Sequence, residues 1–188
     1  MWTPAKLEDG ATPAFNYGFG WFLDSYRGHR VVYHAGVTPG FSSSITRFLD
    51  DKLTVIVLTN SSRQIVDQFA REIAALYLPT LALAKERIPD PDAATSRLLQ
   101  KALVSMLSGK PELTLFTPAM RHFLITDSGN EFSQWAASFG AIRSFTFADG
   151  EKIGRERILR YRIILGDNTF TFGFRMTEDG KIGHAFFW

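Results

Sequence analysis

The stretch from Arg30 to Asn60, RVVYHAGVTPGFSSSITRFLDDKLTVIVLTN, decides the fold of the first half of the chain. It holds three short runs rich in β-branched and aromatic residues, at 30–34, 42–49 and 53–59, separated by a Gly-Pro loop and by Asp50-Asp51-Lys52. Gly, Pro and Asp suit turn backbones and resist ladders, so such punctuation predicts a meander of antiparallel strands. Upstream, Tyr17 to Asp24 reads as one further strand, closed by Arg27-Gly28-His29. Leu53 to Leu58 is apolar on both faces and is expected to run centrally, covered on each side, whereas Ser42 to Leu49 mixes polar and apolar residues and should be more exposed. After a cap at Asn60, Ser61 or Ser62, the residues Ile65, Phe69, Ile73 and Leu76 recur at helical spacing and predict an apolar stripe laid against the sheet.

Downstream of Pro79 the pattern breaks, and Pro89-Asp90-Pro91 marks a boundary. The expected organisation is therefore a first unit at residues 1–80, a linker at 81–91 and a second unit at 92–188. In the latter, Asp92 caps a helix whose Leu98, Leu99, Ala102, Leu103 and Met106 form a core face, ending at Gly109 before Pro111. Shorter helices follow Pro118 and Ser128. From Ala141 the period becomes two, clearest in Leu159, Tyr161, Ile163 and Leu165 and again in Phe170, Phe172, Phe174 and Met176. The fold class expected is α+β: an antiparallel sheet with a packed C-terminal helix, then helices against a curled four-stranded antiparallel sheet.

Composition narrows the function. With 45% hydrophobic, 14% aromatic and 21% charged residues the chain can bury real cores. Lys+Arg 21 against Asp+Glu 19 leaves +2 with no basic run, which argues against nucleic acid or an anionic membrane as the main partner. No segment approaches the roughly 18 apolar residues of a membrane helix, so no membrane span is expected. There is no cysteine, hence no disulfide and no thiolate nucleophile. The four histidines lack any short ligand spacing, and neither metal nor cofactor is expected.

Four pieces in a fixed order stand out: Tyr17-Gly-Phe-Gly-Trp21, His34-Ala-Gly36, Thr38-Pro-Gly-Phe41 and Val55-Ile-Val-Leu-Thr-Asn60. Together they resemble the C-terminal part of the serine β-lactamase and penicillin-binding-protein-like hydrolases, the class C and esterase-like branch above all. The resemblance covers Met1 to Pro79, and it implies that His34-Ala35-Gly36 stands at the family's third motif, on the strand bordering the active site. It implies an acyl-enzyme route for an amide or ester substrate, with the backbone N–H of Val37 as one oxyanion donor. Gly36 would let substrate approach the backbone, His34 would make a polar contact, and Gly40 with Phe41 would shape the adjoining loop. The second glycine of Tyr17-Gly-Phe-Gly-Trp21 would allow close packing behind that wall, although a strand with glycine at a bulge explains the same residues.

The family's nucleophile lies in Ser-x-x-Lys, followed by Tyr-x-Asn or Ser-x-Asn. None of the thirteen serines is followed three places on by lysine, and none of the five tyrosines opens Tyr-x-Asn. Ser128-Gly129-Asn130 fits Ser-x-Asn but falls after the third motif, where the family puts it before. The expectation is a C-terminal segment of a longer serine hydrolase, with Met1 internal to it, no catalytic residue of its own and no activity alone. Its compartment is open: cytoplasmic as given, periplasmic or secreted if a longer chain carries a signal. A strand at Leu53 to Thr59 that has lost its neighbour would pair with a second copy. The second unit resembles, by pattern only, small accessory domains of the cystatin-like cone type, with His122, Trp135 and His184 as candidates at the mouth of such a cone. The rival reading is a noncatalytic ligand-binding or protein-interaction module. Arg143, Arg160, Arg162 and Arg175, interleaved with Glu151, Glu156 and Glu178, read as a solvated outer face.

Overall fold

The computed structural model describes residues 2–6, 8, 16–61, 66–82 and 88–187. It divides into two compact units, Met1–Leu83 with Trp188, and Ala84–Phe187. Among the described residues no helix is long and apolar enough to cross a membrane.

The first unit is a five-stranded antiparallel meander of β1 (Tyr17–Gly18), β2 (Trp21–Tyr26), β3 (His29–Thr38), β4 (Phe41–Phe48) and β5 (Leu53–Thr59), in that spatial order. The run expected as one strand from Tyr17 is folded on itself. Phe19 and Gly20 carry φ of 52° and 84°, the two positive values of a type I′ hairpin turn, so β1 doubles back onto β2. This corrects the role given to Gly20, which has open space where a Cβ would stand. Close packing belongs to Gly18 instead, where a Cβ would lie 2.1 Å from the carbonyl oxygen of Thr3.

Two exposure expectations reverse. β5 pairs with β4 alone among the described residues, and on its outer face Ile56 and Leu58 are 62% and 78% exposed. β4 buries Ser42, Ser44, Thr46 and Phe48, because the helix α1 (Val66–Tyr77) covers that face. The helix presents Val66, Ala70, Arg71 and Ala74 to the sheet, while Phe69, Ile73 and Leu76, the stripe expected inside, are exposed. Ser62 and Ile65 lie outside the described residues. The cause is chemical: β4 offers small hydroxyl side chains, Ser44 Oγ bonds the Asp67 carboxylate, and Arg71 lies over the rings of Tyr26 and Tyr33 at 5.7 and 5.1 Å. Ala70 and Ala74 let the helix lie close to those hydroxyls, and Arg71 reaches past them to the tyrosine rings.

A histidine ties the lower turns together. His29 Nδ1 meets Asp51 Oδ2 at 2.7 Å and its Nε2 meets Thr80 Oγ1 at 3.0 Å, while Arg27 Nε donates to the Thr80 carbonyl at 2.9 Å. Tyr26 Oη donates to the carbonyl of Leu81, itself buried.

In the second unit α2 (Ala93–Leu107) is capped by Asp92, whose carboxylate accepts from the Thr95 N–H at 3.0 Å. Then come α3 (Pro118–Leu124), α4 (Asp127–Ala137) and the meander β6 (Ile142–Ile153), β7 (Glu156–Leu165), β8 (Asn168–Met176) and β9 (Ile182–Phe187). Residues 83–87 of the expected linker lie outside the described residues. Opposed residues share a face, so Tyr161, Ile163 and Leu165 stand with Phe170, Phe172 and Phe174 on the side where Ser96 Oγ of α2 meets Tyr161 Oη at 2.7 Å. That side is the core. Arg160 departs from the solvated-face expectation: it is fully buried, pairing Asp149 at 2.9 Å and also Glu151. A buried guanidinium is sustained only by carboxylates close enough to offset its lost hydration. Arg143 does lie at the surface, bonded to Asp167.

Candidate functional site

The site expected from the sequence sits on β3. Regular pairing of Val31↔Phe48 through Thr38↔Phe41 fixes which backbone groups of β3 serve β4. Leu49 N–H donates to the Arg30 carbonyl at 3.0 Å, one register step further along the same ladder. In an antiparallel ladder residues alternate between the two neighbours, so the even positions Arg30 to Thr38 bond to β4 and the odd ones turn to the opposite side. There β2 supplies partners only as far as Phe22↔Tyr33. The N–H and C=O groups of Ala35 and Val37 therefore face an open sheet margin, with no backbone partner among the described residues.

Side chains alternate as well. Tyr33, Ala35 and Val37 share the face of Thr46, Ser44 and Ser42 under α1, whereas His34, Gly36 and Thr38 belong to the other face with Ile45, Ser43 and Phe41. His34 is half-buried, with its ring centroid 6.1 Å from that of Tyr17 and 5.8 Å from that of Phe22. Gly36 is exposed, and a Cβ there would reach nothing nearer than Ser43 Oγ at 3.4 Å. Gly40, at φ 84°, closes the β3–β4 turn, and Val37 and Phe41 beside it are 64% and 59% exposed. The tip is anchored from below, since Ser42 Oγ lies 2.9 Å from Thr59 Oγ1 and donates to the Ser61 carbonyl.

His34, Ala35, Gly36, Val37, Gly40 and Phe41 are thus contiguous along one strand and its turn, and they frame an accessible backbone donor. Ser43 is a member that sequence reading missed. Its hydroxyl lies 3.5 Å from the Gly36 carbonyl, and the Pro39-Gly40 turn, by setting the register, was the signal that could have found it.

The three candidates of the second unit do not converge. His122 is exposed on α3. Trp135 packs edge-on against Phe187 and Phe139, both at 5.0 Å, on the core side. His184 stands on the reverse face of β9, 4.5 Å from Phe186 and opposite Arg175. Burial first, and the Arg175 charge second, push its imidazole down to about 3, so it is neutral near pH 7. Among the described residues no three His, Asp or Glu side chains gather as metal ligands.

Residues 2–78 match the Beta-lactamase family model. Penicillin-binding protein 4* of Bacillus subtilis (strain 168) is 41% identical over 59 residues, which is 31% of this chain and 13% of that protein. The chain therefore spans a small part of the relative's length. Both likenesses support the serine β-lactamase and penicillin-binding-protein superfamily, and with it a serine hydrolase family.

Proposed function

We propose that the first unit is the oxyanion wall of a serine hydrolase that cleaves an amide or ester through an acyl-enzyme. The observation that carries this reading is the outward N–H of Val37 at an open margin, directly after a glycine that leaves the approach clear. A tetrahedral intermediate places negative charge on the former carbonyl oxygen, and a fixed N–H held at that point lowers the barrier because it needs no reorganisation. His34 supplies a polar contact for bound substrate, and exposed Phe41, on the same face, gives its apolar part a surface. The attacking hydroxyl is a separate matter. With no Ser-x-x-Lys among the 188 residues, the wall as it stands can hold a substrate carbonyl but supplies no hydroxyl to attack it.

The second unit is read as an accessory domain of the cystatin-like type, on the ground that α2 packs on one face of its meander. A ligand-binding role for it has less support, because His122, Trp135 and His184 do not share a site.

The test is an assay of the purified chain with a chromogenic cephalosporin and with nitrophenyl esters. No turnover and no acyl adduct in the intact mass are expected. Turnover would refute the missing nucleophile, and turnover undiminished in His34→Ala would refute the site as well.

A further inference from the structure

On the first unit, at Arg30, seven residues down β3 from Val37 and so roughly 23 Å away, lies a pocket of about 290 Å³. Trp2, Arg30, Arg47, Lys52 and Thr54 line it, and Val32, Arg47 and Thr54 are neighbours across three strands. Its charge is lopsided. Arg30 is held by Asp50 in a two-nitrogen fork, which turns that guanidinium away from other anions. Neither Arg47 nor Lys52 has a carboxylate partner among the described residues: Asp50 is taken by Arg30 and Asp51, beside Lys52 in the chain, by His29, and no carboxylate lines the pocket. Arg47 lies over the Trp2 ring at 5.2 Å. A guanidinium held over an aromatic ring can still donate from its N–H groups to an oxyanion, and the indole offers a flat apolar surface beside it. Lys52 is exposed at φ 55°, and Thr54 adds a hydroxyl.

We infer that this pocket binds a phosphate monoester carried on a flat organic body. A phosphate monoester suits these two cations, its oxygens taking the Arg47 N–H groups in pairs and the Lys52 ammonium as a point charge. The organic body lies along Trp2, and a volume of this size admits about one ring and its headgroup. The inference stands apart from the acyl-transfer reading, since it uses none of the residues at the Val37 margin.

Isothermal titration of the purified chain with phenyl phosphate at low salt tests it. Saturable binding is expected, about tenfold tighter than for inorganic phosphate and absent with phenol. Arg47→Met should weaken phenyl phosphate about tenfold and Lys52→Asn several-fold, asparagine being chosen because it accepts the left-handed backbone. Trp2→Ala should bring phenyl phosphate down to the level of inorganic phosphate, while Arg143→Gln in the second unit should change nothing. Circular dichroism and melting check each variant, and if Arg47→Met melts early the exposed Lys52→Asn carries the comparison. No saturation up to millimolar ligand, or equal affinity in wild type and Lys52→Asn, would overturn the proposal. Phthalate binding as tightly as phenyl phosphate would overturn the assignment to phosphate.

Discussion

Val37 owes its outward N–H to parity alone. One observed bond, from Leu49 to Arg30, together with an unbroken register, sets the direction of every amide on β3. Native-state hydrogen exchange followed by NMR should therefore alternate along this strand. The amides of Ala35 and Val37 are expected to exchange at least about tenfold faster than those of His34 and Gly36. Equal protection at all four would mean that the margin is closed. How much of this was legible follows from the chemistry. The His34-Ala-Gly36 triplet and its flanking pieces were visible because they are local and ordered. Ser43 was not, since its place beside Gly36 exists only once the Pro39-Gly40 turn has set the pairing. Gly18 and Gly20 were both visible as glycines, but which of them meets Thr3 depends on a contact between distant residues.

At the scale of single elements, α1 shows where periodicity misleads. Phe69, Ile73 and Leu76 recur as a buried stripe would, yet the neighbouring stripe of Val66, Ala70 and Ala74 faces the sheet. Hydrophobic pattern weighs side-chain size, whereas the β4 surface of Ser42, Ser44 and Thr46 selects for closeness and for the carboxylate of Asp67. Ala70→Leu should accordingly lower stability by about 1–3 kcal/mol through overpacking, and Leu76→Gln should change it by less than about 0.5 kcal/mol. Urea unfolding of the two variants decides the matter, and the reverse order would return the helix to its expected rotation. The same lesson holds for β5, whose apolar character on both faces predicts a central strand, although Ile56 and Leu58 point outward.

For the molecule as a whole, the second unit was the more readable half. Its period-two runs around Tyr161 and Phe172 led directly to the meander and its aromatic core, because alternation follows from the strand itself. Arg160 and His184 escaped, since a polar residue on a strand looks solvated until something is known to cover it. His184 makes the acid stability of the chain predictable. Its folded value near 3 lies below the ordinary 6.5, so the unfolded chain binds the proton more readily and stability declines as pH falls from about 6.5 towards 3. Between pH 7 and pH 5 this amounts to about 2 kcal/mol of unfolding free energy, a loss that His184→Phe should not share. Identical acid limbs in urea titrations of the two proteins would contradict the burial. The node at His29 has a practical sequel for anyone cutting the chain. Thr80 and Leu81 secure the two hairpin bends through His29, Arg27 and Tyr26, so a shortened version of the first unit should stop beyond Leu81. Trimming at Leu78 would strip away the outer clasp at Thr80 and Leu81 and leave His29 with Asp51 alone at the knot.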